Sequence, residues 1–174
     1  SEAVYQAISG SVGTADAVGF VNDANKLAVA GFTSLTNATD VLTTILNAYG
    51  MEASQVAGIS NVLIQTQNLG KTSVDELSTS MGRAIATGSA YNVNLQNVSA
   101  AYVELTRGGI ATAEATTYLS SMLNELGKAD SDVAKVLLAE TGKSFGELMA
   151  SGASLADVLE TLNRSVNGNA EAFM

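Results

Sequence analysis

The sequence predicts an all-α fold, an irregular orthogonal bundle of about ten short helices joined by turns that end in glycine or asparagine. Apolar residues recur at spacings of three and four along most of the chain, which is typical of amphipathic helices. Proline is absent, whereas glycine occurs 16 times among 174 residues. Aromatic residues make up only 5% of the chain, so its core must be aliphatic and rich in alanine. Such a core suits closely packed helices better than sheets.

The strongest sign of this architecture is a repeated helix stop. Tyr49-Gly50-Met51, Tyr91-Asn92-Val93 and Gly108-Gly109-Ile110 each place glycine or asparagine between an apolar stretch and the next helix start. Glycine and asparagine tolerate the left-handed backbone conformation that often ends a helix. Further stops of this kind are predicted at four glycines, namely Gly70, Gly127, Gly142 and Gly152.

In chain order, these signals predict ten helices, which span 2–9, 14–30, 36–48, 53–68, 73–88, 95–106, 112–126, 131–140, 144–151 and 154–166. The helices 36–48 and 53–68 are apolar over a broad face and should be central. The threonine-rich stretch 33–44 has weak helix propensity. Later helices have apolar stripes, carried by Val74, Leu77, Met81 and Ile85; by Leu95, Val98, Tyr102 and Leu105; by Ala115, Leu119, Met122, Leu123 and Leu126; and by Leu155, Val158, Leu159 and Leu162.

Helix starts are predicted from capping residues. Ser73 with Glu76, and Ser144 with Glu147, have the spacing of a capping box, in which hydroxyl and carboxylate each bond one free backbone amide. Simple N-caps are predicted at five further residues, namely Thr14, Asn94, Thr112, Ser131 and Ser154.

The charge pattern and missing residue types exclude several functions. The net charge is −9 and the eight basic residues are scattered, so no basic face is predicted that could neutralise nucleic-acid phosphates. Without cysteine the chain has neither disulfides nor thiolate metal sites, and without histidine it lacks the commonest general base and metal ligand. The longest apolar runs, such as 27–32, are far shorter than the ~20 residues of a membrane span, and no signal peptide is evident.

Two triplets imitate a phosphate-binding loop, Gly70-Lys71-Thr72 and Gly142-Lys143-Ser144. That motif requires a glycine five residues before the second glycine, and a preceding strand. Gln65 and Leu137 occupy those positions within predicted helices. Both triplets are therefore interpreted as a helix stop followed by an N-cap.

The carboxylates offer only two groupings, Asp75 with Glu76 and Asp130 with Asp132. Both groupings lie at predicted helix starts, where the helix dipole already favours negative charge. Asp130-Ser131-Asp132 also lacks the rest of a calcium-binding loop. We therefore predict no catalytic, cofactor-binding or metal-binding residue, and no enzyme activity.

The order of several short motifs resembles a known family. They are Glu2-Ala3-Val4-Tyr5-Gln6-Ala7-Ile8-Ser9, Asn25-Lys26-Leu27-Ala28, Asp40-Val41-Leu42, Asn47-Ala48-Tyr49-Gly50-Met51, Lys71-Thr72-Ser73-Val74-Asp75-Glu76-Leu77, Ala90-Tyr91-Asn92-Val93-Asn94-Leu95 and Leu105-Thr106-Arg107-Gly108-Gly109-Ile110-Ala111-Thr112. Together they resemble the helical core region of tail tape measure proteins of long-tailed phages, the TP901-like family. The stretch 113–117 departs from the family, since many members have Ala-Gly-Thr there.

The resemblance implies a structural role in the virion tail. Tape measure proteins are long helical chains whose length sets how far the tail tube polymerises, and which leave ahead of the DNA. The partners implied are other copies, the rest of the tape measure chain, the tail tube protein and tail assembly chaperones, with synthesis in the host cytoplasm. No cofactor, membrane span or nucleic-acid contact is implied for this segment.

Residues 1–174 are expected to form one helical domain cut from a much longer chain, because the sequence starts with Ser1 and stops at Met174 inside a helix-like stretch. Two other interpretations stay open. One is a non-catalytic helical interaction or adaptor domain of bacterial origin. The other is an enzyme such as a cell-wall hydrolase, which the missing histidine and cysteine argue against.

Overall fold

Eleven α-helices and one 3₁₀ turn follow one another in the computed structural model, which describes residues 2–172 and the side chains of residues 2–168. The helices are α1 Glu2–Ser9, α2 Ala17–Ala30, α3 Leu35–Tyr49, α4 Val56–Leu69, α5 Val74–Ser80, α6 Gly82–Ala90, α7 Leu95–Arg107, α8 Thr112–Gly127, α9 Asp132–Thr141, α10 Phe145–Ala150 and α11 Leu155–Ala172. The 3₁₀ turn is Ala53–Gln55, and the described residues contain no strand. The all-α prediction is confirmed. Ser1 and Met174, cited above, lie outside the described residues.

Helix α3 is the centre of the first half. It contacts α1, α2, α4, α5 and α6. Val41, Leu42, Ile45 and Leu46 are all buried, which places the broad apolar face predicted for this helix in the core. Helix α4, the other predicted central helix, contacts α2, α3, α5 and α7. Tertiary packing of these apolar faces outweighs the weak helix propensity of the threonines in α3.

Helix α8 is the corresponding centre of the second half, with contacts to α5, α6, α7, α9 and α10, while α11 packs on α9. The buried apolar residues from Ala7 to Val158 form one continuous cluster that joins the two halves. Its members are mostly aliphatic, and Phe20, Tyr102 and Phe145 are its buried aromatic residues. An aliphatic core is what the low aromatic content predicted.

Five of the links between helices share one backbone design. They are Phe32-Thr33-Ser34, Gly50-Met51-Glu52, Asn92-Val93-Asn94, Gly109-Ile110-Ala111 and Gly152-Ala153-Ser154. The first residue of each has a φ between 52 and 96°. The N–H of the second donates to the carbonyl five residues earlier, at 2.8 to 3.2 Å. This is the Schellman end of a helix, and here the next helix begins directly after the third residue.

Not every predicted stop is of this kind. Gly142 is left-handed, with a φ of 72°, as predicted. Helix α4 ends at Gly70 and helix α8 ends at Gly127, as predicted, but neither glycine is left-handed. These two glycines serve close packing. A Cβ on Gly127 would lie 2.2 Å from the ring of Tyr91, and one on Gly70 would lie 2.9 Å from Thr106 Oγ1.

Two predicted helices have different bounds in the structure. The single helix predicted over 73–88 is interrupted at Met81, which separates α5 from α6. Ser78 and Thr79 donate their hydroxyls to the Asp75 carbonyl within α5. Such bonds compete with helix hydrogen bonding, and Gly82 follows at once. The helix predicted over 14–30 begins only at Ala17, because residues 14–16 form a turn.

The predicted caps are mostly confirmed. Ser144 and Glu147 form the capping box, and Asn94 and Ser131 accept the expected backbone bonds. Ser154 was predicted as a simple N-cap, and it forms a reciprocal capping box with Asp157. Three cap predictions deviate. Ser73 accepts from the Glu76 N–H, but the Glu76 carboxylate takes the Ser73 hydroxyl, so that box is half formed. Thr14 and Thr112 are not N-caps, since Asp16 and Ala111 hold those positions.

Candidate functional site

An apolar cleft of about 520 Å³ opens between α7, α8 and the start of α11. Its lining is mostly apolar, with small alanines beside larger side chains. The lining residues that shape it are Ala100, Ala101, Leu105, Tyr118, Met122 and Leu159. Asn97, Glu104 and Ser154 supply its polar groups. A concave apolar surface with few polar groups is typical of a binding site.

The two helices that form the walls are joined by a buried hydrogen-bond chain. The hydroxyl of Tyr102 on α7 bonds Thr116 Oγ1 on α8, and Thr116 donates to the Thr112 carbonyl at 3.2 Å. Because Thr116 gives its only hydroxyl proton to the Thr112 carbonyl, Tyr102 is the donor in the bond between the two hydroxyls. Burial raises the pKa of Tyr102 to about 12. Because these linked hydrogen bonds lie inside the core, they hold α7 and α8 at a defined separation beneath the cleft.

The third wall is held by Asn97. Its Oδ1 accepts from the Leu155 N–H at 2.8 Å, which satisfies one of the free amides at the start of α11. Its Nδ2 donates to Asn94 Oδ1 at 2.8 Å, so the amide of Asn97 is fixed at both ends. This side chain attaches the start of α11 to α7.

The cleft is open and its rim is acidic. Leu159 is 40% exposed although it belongs to the apolar stripe predicted for α11. The exposed hydroxyl of Tyr118 donates to the Glu114 carboxylate, and this bond raises the pKa of Tyr118. Glu104 lies on the opposite wall, on α7. The arrangement suits the docking of an apolar side chain or helix rather than a reaction.

In both triplets that imitate phosphate-binding loops, the backbone and hydroxyl groups take part in helix ends, caps and hydrogen bonds within the fold. The Lys71 N–H donates to Thr106 Oγ1 at 3.0 Å, and the hydroxyls of Thr72 and Thr112 bond each other at 2.7 Å. Gly142 ends α9 and Ser144 caps α10, as predicted for that triplet. In the first triplet the helix end at Gly70 is confirmed, with an extended backbone, but the N-cap of α5 is Ser73 and not Thr72.

The two carboxylate groupings lie apart, and Asp75 bonds a distant segment whereas Asp130 and Asp132 pair with neighbouring lysines. Asp75 accepts from the Thr33 hydroxyl and, at 3.0 Å, from the Asn37 amide. These hydrogen bonds hold the pKa of Asp75 below its ordinary value. Asp130 and Asp132 pair at 3.8 Å with the lysines at 128 and 135. Among residues 2–172, no cluster of three or more acidic side chains could hold a metal ion.

Sequence reasoning missed the residues that position the cleft. Asn97 lies in the first turn of a predicted helix, and nothing in its neighbours signals a bond to residue 155. Asn92 is similar, since its Nδ2 donates to the Gly146 carbonyl at 3.1 Å. Such contacts between distant segments depend on the tertiary fold. The alanines at 100 and 101 were the available signal, because they extend the apolar surface of α7 beyond its predicted stripe.

Comparison with known proteins identifies the family. The sequence model of the phage-related minor tail protein family matches residues 1–173. The chain belongs to the phage-related minor tail protein family. Membership in this family makes it a component of a phage tail with a structural role, in agreement with the resemblance described above.

The chain is also similar to a probable tape measure protein of Clostridium phage phiCD119. The two are 35% identical over 183 residues, which cover 99% of this chain and 19% of the relative. The chain therefore spans about a fifth of the length of that relative. No solved structure matches it. None of the helices in the described part is both long and apolar enough to cross a membrane.

Proposed function

We propose that this chain is a structural module of a tail tape measure protein. In this role it contributes to tail tube assembly, to the determination of tail length and to release ahead of the DNA. The supporting observation is the 35% identity to a probable tape measure protein along 99% of this chain. Since the chain covers 19% of that relative, the module would be one part of a much longer protein.

The proposed module is one all-helical domain, residues 1–174, cut from the longer chain. The continuous buried cluster from Ala7 to Val158 supports this, because both halves contribute to one core. Its partners would be other copies of itself, the remaining tape measure chain, the tail tube protein and tail assembly chaperones. It would be made in the host cytoplasm and carried in the virion tail.

A binding role suits the chemistry of the module better than catalysis. The cleft between α7, α8 and α11 offers apolar packing surface, with polar groups at its edge. The net charge of −9 disfavours direct contact with nucleic acid, since like charges repel. We therefore assign the module to protein–protein contacts within the tail, with no enzyme activity and no cofactor of its own.

An in-frame deletion of the module from the complete tail gene tests the proposal. We expect lysates to contain DNA-filled heads without tails of normal length, as seen by electron microscopy, and infectivity to fall by orders of magnitude. A second strain carrying Gly58→Ala, where an added Cβ meets no atom within 4 Å, controls for the genetic manipulation. Normal tails with normal infectivity would contradict the proposal. Normal tails with loss of one host-protein interaction would instead support the adaptor alternative.

A further inference from the structure

Phe32 occupies an unusual backbone position. It is the left-handed residue of the first of the five shared links, where the other four links have glycine or asparagine. Its φ is 52°, a conformation that disfavours a bulky side chain. Its ring is nevertheless 88% exposed, so packing within the chain does not compensate for the strain. The fold would be better served by glycine at this position.

The turn that carries Phe32 is firmly held. The Thr33 N–H donates to the Ala28 carbonyl at 2.9 Å, and the Thr33 hydroxyl bonds the carboxylate of Asp75 on α5. The neighbouring Gly31 is buried so close to α5 that a Cβ there would lie 2.6 Å from the Val74 side chain. These contacts keep the ring projecting into solvent, and exposed Val29 lies one helical turn before it.

The apolar cleft has the size and chemistry to receive such a ring. An apolar cavity of roughly 150 Å³ is enough to bind benzene. The cleft, at about 520 Å³, has room for the phenyl group and for part of a flanking side chain. Small residues at positions 100, 101 and 156 line it and leave this space open. Because Phe32 is exposed, it does not occupy the cleft of its own chain.

We propose that Phe32 of one copy inserts into the α7–α8–α11 cleft of a second copy. The proposal rests on the proposed function, which brings copies of the module together in one tail. A second copy is the favoured occupant because the chain itself carries both halves of the contact, an exposed aromatic ring on a firmly held turn and an apolar cleft of matching size. Such a head-to-tail contact leaves one free ring and one free cleft, so it propagates into a ring or a row.

One aromatic side chain and its neighbours bury far less area than a stable dimer requires. The contact is therefore weak in dilute solution and strengthens when copies are held side by side, through their effective concentration. The purified chain should be monomeric at low micromolar concentration and associate as its concentration rises toward the millimolar range.

Sedimentation velocity over this range tests the contact. We expect Phe32→Gly to weaken association on the order of 30-fold, the effect of losing a central aromatic anchor. Its melting temperature should stay the same or rise, because glycine relieves the backbone strain. The matched control is Tyr5→Ala, which removes an aromatic side chain that is 73% exposed at a different site. This control should associate like the parent chain.

The cleft is tested from its own side. Ala100→Trp fills it from an exposed position on α7, and Leu159→Glu places a charge in it, so two independent variants probe the same surface. Each should be monomeric on its own and retain the parent's circular dichroism. Mixing Phe32→Gly with Ala100→Trp supplies one intact ring and one intact cleft. The mixture should therefore form dimers that grow no further.

A parent chain that stays monomeric near 1 mM, or a Phe32→Gly chain that associates like the parent, would overturn the contact. A mixture of the two variants that stays monomeric would also overturn it. These measurements use the purified chain, whereas the proposed function is tested by tail morphology. Failure of the contact with an altered tail in the deletion strain would leave the proposed function standing.

Discussion

At the scale of single residues, glycine has two distinct uses in this chain. Gly50, Gly109 and Gly142 supply positive φ at helix ends, whereas Gly70 and Gly127 supply space. The sequence pattern alone does not separate these uses, because both place a glycine near the end of an apolar stretch. The difference arises from what packs against the residue, which depends on segments distant in sequence.

Gly127 provides a direct test of the second use. Its Cα faces the ring of Tyr91, which also packs against buried Phe145 with ring centroids 6.2 Å apart. Because an added methyl group would lie 2.2 Å from the ring, the ring must shift and lose part of its packing against Phe145. We expect Gly127→Ala to destabilise the fold by about 1–3 kcal/mol, the usual effect of overpacking. Thermal unfolding should show a drop of roughly 2–4 °C per kcal/mol.

The matched control is Gly58→Ala within α4, where an added Cβ meets no atom within 4 Å. Alanine is the better helix former, so this variant should be about 0.5–1 kcal/mol more stable than the parent. Equal melting temperatures for the two variants would show that close packing is not the reason for glycine at position 127.

At the scale of helices, apolar spacing and capping residues predicted most elements, whereas the contacts between them were not predictable. Most residues of the stripes predicted over 74–85, on α7 and on α8 are buried, because apolar spacing identifies a packed helix face. Leu105 and Met122 are half-buried and line the cleft. The interruption at Met81 was missed because its cause, hydroxyl bonding by Ser78 and Thr79, is weak in sequence. The link at Phe32 was missed because the rule for such stops looks for glycine or asparagine.

The cleft, like the contacts between helices, could not be predicted from the sequence. Its residues come from three helices, and its shape depends on Asn97 holding α11 and on Tyr102 holding α8. In its local sequence, each of these two residues is indistinguishable from an ordinary helix residue. What brings them together is the packing of α7 against α8 and the return of the chain after α10. The apolar cleft itself was not visible in the sequence.

Asn97→Ala tests how α11 is attached. Removing the amide leaves the Leu155 N–H without its acceptor, at a cost of about 1–3 kcal/mol if the group stays buried. Because α11 packs mainly on α9, we expect α11 in this variant to detach and unfold while the other helices stay folded. Hydrogen exchange should accelerate about fivefold or more in α11 and remain unchanged in α3.

The neighbouring exposed Gln96 offers the control for this measurement, since Gln96→Ala changes a side chain of similar size on the solvent side of α7. It should leave exchange in α11 at the parent rate. Uniform acceleration across all helices in the Asn97 variant would mean that the residue stabilises the whole fold, and that α11 is not separately attached.

At the scale of the whole molecule, the central claim is that this folded unit belongs to the protein that sets tail length. A compact chain of 174 residues is about 40 Å across, whereas the same residues drawn out as one helix would span about 260 Å. The contribution of the module to a length ruler therefore depends on whether it stays folded in the tail. The two values are far enough apart to be distinguished on single particles.

The most direct measurement is tail length by electron microscopy in a strain whose tail gene carries the module twice in tandem. One intact copy remains, so assembly does not depend on a truncated chain. We expect longer tails, by about 40 Å if the added module stays compact and by up to about 260 Å if its helices are drawn out end to end. Tails of unchanged length, from particles shown to contain the enlarged protein, would contradict a role in length determination.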